Sequence, residues 1–133
     1  MDRGFIGSQD IWICATHPGD DQFKSAVQQA CIKLPRNTDG PDQAITFDPI
    51  PNQKFGPGSV QLSARSSAGL PVHFFVREGP AELNGKILRL VAAPPRSKFP
   101  MHVTVVAWQW GRSVAPLVKS AAMVEQSFEI NKP

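Results

Sequence analysis

The chain has 133 residues, enough for one domain and a fragment, and a body of that size buries roughly two-thirds of its unfolded surface without staples. Hydrophobic residues make up 41% and charged residues 19%, a globular balance that argues against a disordered chain. The net charge of +3 comes from basic residues spread singly, which argues against a nucleic-acid partner.

No apolar run approaches the ~18 residues of a transmembrane helix, and Met1-Asp2-Arg3-Gly4 leads into no secretory signal, so neither a membrane span nor a signal peptide is expected in this chain. Thirteen prolines and ten glycines punctuate the sequence and predict short elements joined by turns. Residues 1–43 carry four basic and six acidic side chains, a net of −2. Residues 44–133 carry ten and five, a net of +5.

The first forty residues become legible beside the end of the chain. Ile13-Cys14-Ala15-Thr16-His17-Pro18-Gly19 aligns with Val105-Val106-Ala107-Trp108-Gln109-Trp110-Gly111, and Val27-Gln28-Gln29-Ala30-Cys31 with Val124-Glu125-Gln126-Ser127-Phe128. Residues 1–36 therefore read as a β-hairpin-like remnant of a preceding repeat, its last two strands, with 37–43 as a linker. Beyond the linker the pattern is period two. Strands are predicted at 44–47, 60–64, 72–77, 81–83, 87–90, 102–110 and 124–130, with Asn84-Gly85 as a two-residue hairpin turn and 94–100 as an extended proline-rich loop. Residues 44–131 thus read as an all-β, seven-stranded antiparallel β-sandwich of immunoglobulin-like size. Phe47, Leu62, Ala64, Val72, Phe74, Val76, Leu88, Leu90, Val103, Val105, Phe128 and Ile130 are its expected core.

Ile45-Thr46-Phe47, Ile50-Pro51, Phe55-Gly56, Leu62-Ser63-Ala64, Ser66-Ser67-Ala68-Gly69-Leu70-Pro71-Val72, Gly79-Pro80-Ala81, Val103-Thr104-Val105 and Gln126-Ser127-Phe128-Glu129-Ile130 occur in order. This resembles the bacterial immunoglobulin-like repeats found in tandem in large secreted and cell-surface proteins. The resemblance implies an extracellular or cell-surface structural module, a spacer or stalk beside adjacent domains of the same larger protein. It also implies no catalytic residues and no cofactor. Trp108 and Trp110 depart from the family pattern, as does the long proline-rich stretch 92–101.

The resemblance implies Val103, Val105, Ala107 and Gln109 inward, and alternation then sends Thr104, Val106, Trp108 and Trp110 outward; on 72–77, which an immunoglobulin-like sandwich makes the neighbouring strand, the same logic sends His73, Phe75 and Arg77 outward. The expected result is an exposed patch of Trp108, Trp110, Phe75 and Val106. Three readings stay open: a patch covered by a neighbouring repeat or the remnant, a protein contact, or a carbohydrate-binding surface. In the last, the aromatic rings stack on sugars while His73, Arg77 or Gln109 bonds hydroxyls. The remnant's unpaired edges offer a further route, a dimer formed by pairing or swapping strands.

His17-Pro18-Gly19-Asp20-Asp21 has metal-ligand residue types but reads first as a turn, so no metal is expected. Cys14 and Cys31 are placed on opposite faces of the remnant and are expected to be free thiols. The serines at 63, 66 and 67 lie in no nucleophile elbow, and the carboxylates are scattered over different strands, so no enzyme is expected.

Overall fold

A computed structural model describes residues 9–34, 36–93 and 95–132. Residues 1–8 and Pro35 of the expected remnant, and Pro94 of the expected loop, lie outside the described residues, as does the Leu34 side chain. The chain divides into two compact units, Met1–Arg36 and Asn37–Pro133. Among the described residues there is no helix long and apolar enough to cross a membrane.

The first unit is a two-stranded antiparallel ribbon of β1 (Gln9–His17) and β2 (Ala26–Leu34). Its turn is built around Asp20, whose Oδ1 accepts from the Gln22 and Phe23 N–H groups at 2.8 and 2.7 Å, while the Asp20 N–H donates to Phe23 O at 2.8 Å. Gly19, at φ +91°, donates to His17 Nδ1 at 3.0 Å. A side-chain-locked turn fixes the closing pair as His17 with Ala26, and the closing pair fixes every pair behind it.

That register differs from the repeat alignment by one residue. Ala107 pairs with Val124 near the end of the chain, whereas the aligned Ala15 pairs with Gln28 instead of Val27. A slip of one reverses the faces. Cys31 stands opposite Trp12 and Cys14 opposite Gln29, so both thiols lie on one face, not on opposite ones. They sit a diagonal apart, beyond easy disulfide reach, and both are free.

The second unit is all-β. Its strands are β3 (Ile45–Phe47), β4 (Gln53–Lys54), β5 (Ser59–Gln61), β6 (Ala64–Ser66), β7 (His73–Glu78), β8 (Ala81–Asn84), β9 (Ile87–Leu90), β10 (Met101–Trp108) and β11 (Val124–Asn131). They form sheets ordered β4-β11-β10-β7, β3-β6 and β5-β9-β8, antiparallel except where β4 joins β11 in parallel. The arrangement is that of a β-sandwich, with one core drawn from all three sheets.

The strand expected at 60–64 is interrupted because it changes partner. Leu62 N–H donates to Lys86 O at 2.8 Å on the β9 side, and Asp48 N–H donates to Ser63 O at 2.9 Å on the β3 side. The β8–β9 turn comes one residue later than the Asn84-Gly85 signal suggests. Asn84 pairs with Ile87, leaving Gly85 and Lys86 as the two loop residues, with positive φ at Gly85. Glycine at the first loop position is the requirement of a type II′ turn.

All the expected core residues are buried or packed against the core; Ala64, Phe74 and Val76 are the partly buried ones. Ile45, Ile50, Met101 and Ala121 join them. Residues 37–43, read from the sequence as a linker, are hydrogen-bonded to the 112–120 loop. Asn37 Nδ2 donates to the carbonyls of Arg112 and Val118 at 2.6 Å each, and Gln43 Nε2 donates to Lys119 O at 2.7 Å.

Candidate functional site

The outward face of the four-stranded sheet is set by β10 and its neighbours. Val106 pairs with Phe75 on one side and Glu125 on the other; Trp108 pairs with His73 and Thr104 with Ser127. Between Val105 and Thr104 the β7 register shifts, with Val76 opposite the first and Glu78 opposite the second. Arg77 is the extra residue of this bulge, and its guanidinium forms an ion pair with Glu125 on β11. To reach that strand the side chain crosses β10 beside Val106.

This crossing accounts for a difference from the sequence reading. Val106 faces outward but is 0% exposed, flanked by Phe75 and by the Arg77–Glu125 pair. Thr104 is buried too. Its hydroxyl lies 3.1 Å from Glu78 Oε1 and 2.9 Å from Ser127 Oγ, so this end of the face is a closed polar network. The expected open patch is therefore smaller, because alternation assigns a side chain to a face without saying what lies over it.

At the other end the aromatic residues do come together. The rings of His73 and Trp108 are 5.1 Å apart at 34°, and those of Trp108 and Trp110 are 5.2 Å apart at 54°. His73 is exposed and both indoles are half-buried, as are Phe75 and Arg77. Trp110 lies beyond the end of β10, yet it still emerges beside Trp108 because Gln109 is anchored between them. The Gln109 side chain donates to Pro71 O and accepts from Gly111 N–H at 2.6 Å, and Ser120 Oγ donates to Trp110 O at 2.6 Å. Gln109 is thus a structural anchor rather than a hydroxyl-binding group.

Pro71, held in this way, begins the wall of a groove of about 450 Å³ that runs along β7 to the β8–β9 turn, lined also by His73, Trp108, Leu83, Gly85 and Lys86. Neither the indole N–H groups nor the Lys86 ammonium has a partner among the described residues. The sequence predicted a turn at Asn84-Gly85, next to Lys86, but only the sandwich brings that turn to β7.

In the ribbon, His17 and Asp20 serve the turn, their side chains 3.8 Å apart. Among the described residues no three His, Cys, Asp or Glu side chains cluster as a metal site. His102 lies 4.0 Å from Glu129, an exposed cross-strand pair. Comparison with protein-family models, with curated proteins and with solved structures finds no match to the chain.

Proposed function

We propose that residues 37–132 form a non-catalytic module with immunoglobulin-like connectivity, acting as a spacer or appended repeat of a larger bacterial protein outside the cell. The observation that carries this reading is the strand order. The β4-β11-β10-β7 sheet faces β3-β6 and β5-β9-β8 across one core, and the chain passes from β5 into β6 with only Leu62 and Ser63 between, so the two smaller sheets act as one layer. Merging β5 with β6 and treating β4 as a continuation of β3 gives seven strands, the count expected of such a repeat.

The buried polar side chains support a structural role, because each is spent on holding the fold. Ser66 Oγ donates to Gln43 Oε1 at 2.5 Å, Gln43 holds Lys119 O, and Gln109 holds Pro71. The resemblance in the sequence supplies the bacterial and extracellular setting. A domain exchange tests the reading: replacing residues 37–132 with an unrelated sandwich of similar length, inside the larger protein, should leave that protein's activity unchanged. Loss of activity with folding intact overturns the spacer role.

A further inference from the structure

The groove beside Trp108 goes beyond a spacer's needs. A module that only sets distance has no use for an indole on the wall of a concave surface with a second indole packed beside it, and exposed aromatic area carries a cost in solubility. We infer that this groove binds an acidic polysaccharide, with Trp108 stacking on a sugar ring and Lys86 pairing with a uronate carboxylate.

Three observations lead to that ligand class. The first is shape and lining. An open groove of about 450 Å³ with Trp108 on its wall, Leu83 in its lining and Lys86 at its rim has room for a sugar ring lying along the surface. Tryptophan presents a flat apolar face, which suits the C–H face of a pyranose ring, and a polar edge for its hydroxyls.

The second is the sign of the polar groups. The indole N–H of Trp108 and the ammonium of Lys86 are donors without internal acceptors among the described residues, and no Asp or Glu lines the groove. A site that offers donors and no carboxylate suits a ligand that supplies acceptors and negative charge. A neutral glycan would use the stacking face but would offer the exposed Lys86 ammonium no opposite charge.

The third concerns the competing occupant, a peptide strand added beside β7, the last strand in the order of its sheet. That strand has six residues, and Pro71 and Pro80 flank it closely. Short edges bounded by proline are poor templates for strand addition. Stacking, not backbone pairing, is the recognition this groove supports. Its wall is also preorganised, since Gln109 fixes Pro71, so less ordering is left to be done on binding.

The test is affinity electrophoresis of the full chain through gels containing polygalacturonate, alginate or neutral xyloglucan, at low and moderate salt. The parent is run beside Trp108→Ala, Lys86→Gln and Lys54→Gln. Lys54→Gln makes the same charge change on β4, away from the groove, and controls for simple attraction of a basic protein to an anionic gel. Thermal melting of each variant separates lost binding from lost fold. Lys86 sits in an exposed turn, so its variant keeps the question open to a decision even if Trp108→Ala unfolds.

Retardation in the uronate gels that falls about tenfold or more in Trp108→Ala, and several-fold in Lys86→Gln but not in Lys54→Gln, is the expected result. Equal retardation in xyloglucan with no effect of Lys86→Gln overturns the acidic ligand. Equal effects of the two lysine variants reduce the binding to bulk charge and overturn the site. No retardation in any gel overturns the proposal and leaves the spacer reading standing, whereas failure of the domain exchange bears on the spacer reading alone.

Discussion

The ribbon and the sandwich use the same local grammar and reach different states. Both contain a pair of nine- or eight-residue antiparallel strands rich in apolar side chains. In the sandwich, Val103, Val105, Phe128 and Ile130 point at a second layer and are lost from solvent. In the ribbon, Trp12 is 64% exposed, and Ile11, Ile13, Val27 and Ile32, spread over both faces, are exposed too. Alternation makes a strand; only a facing layer makes a core. A ribbon of two strands is marginal in water by itself.

Hydrogen exchange sharpens this contrast most. Amides at the centre of β10 should exchange only through global opening, at about 5–15 kcal/mol for a domain of this kind, while those of β1 and β2 open at a small fraction of that cost. Equal protection in the two units would show that the ribbon's exposed apolar faces are covered in solution. Truncation gives the next largest effect. Phe128→Ala, at a side chain 2% exposed, should lower stability by ~3–5 kcal/mol in a urea titration. Trp12→Ala should change it by no more than ~0.5 kcal/mol.

A pair of glycine substitutions asks how tightly the 109–121 loop is folded. Gly111 has φ +76°, and a Cβ there would collide with the backbone at Val118 and Lys119. Gly69, at φ +71°, faces open space. Alanine at 69 should cost about 1–2 kcal/mol from backbone strain alone, and alanine at 111 clearly more. Equal melting temperatures would mean that the loop gives way and does not hold Trp110 in place. A smaller effect than these belongs to Arg77→Ala: the ion pair with Glu125 contributes about 0.2–1 kcal/mol, a part that shrinks in high salt, and the rest of the loss, from uncovering Val106, does not.

The sequence by itself determined the all-β class, the positions of most strands and the inward-facing residues. Period-two alternation and Pro/Gly punctuation are local properties, and a strand buried on one face must display them. His73, Trp108 and Trp110 could be put near one another only because the resemblance implied which strands are neighbours and which face is inward. Tertiary structure decided the rest. The ribbon register turned on hydrogen bonds inside the Asp20 turn, which no alignment of strand residues contains. The burial of Val106 depended on a bulge that sends Arg77 across β10, and the groove depended on the β8–β9 turn arriving beside β7. Each of these joins residues far apart in the chain or shifts a face by one residue, and periodicity cannot express either.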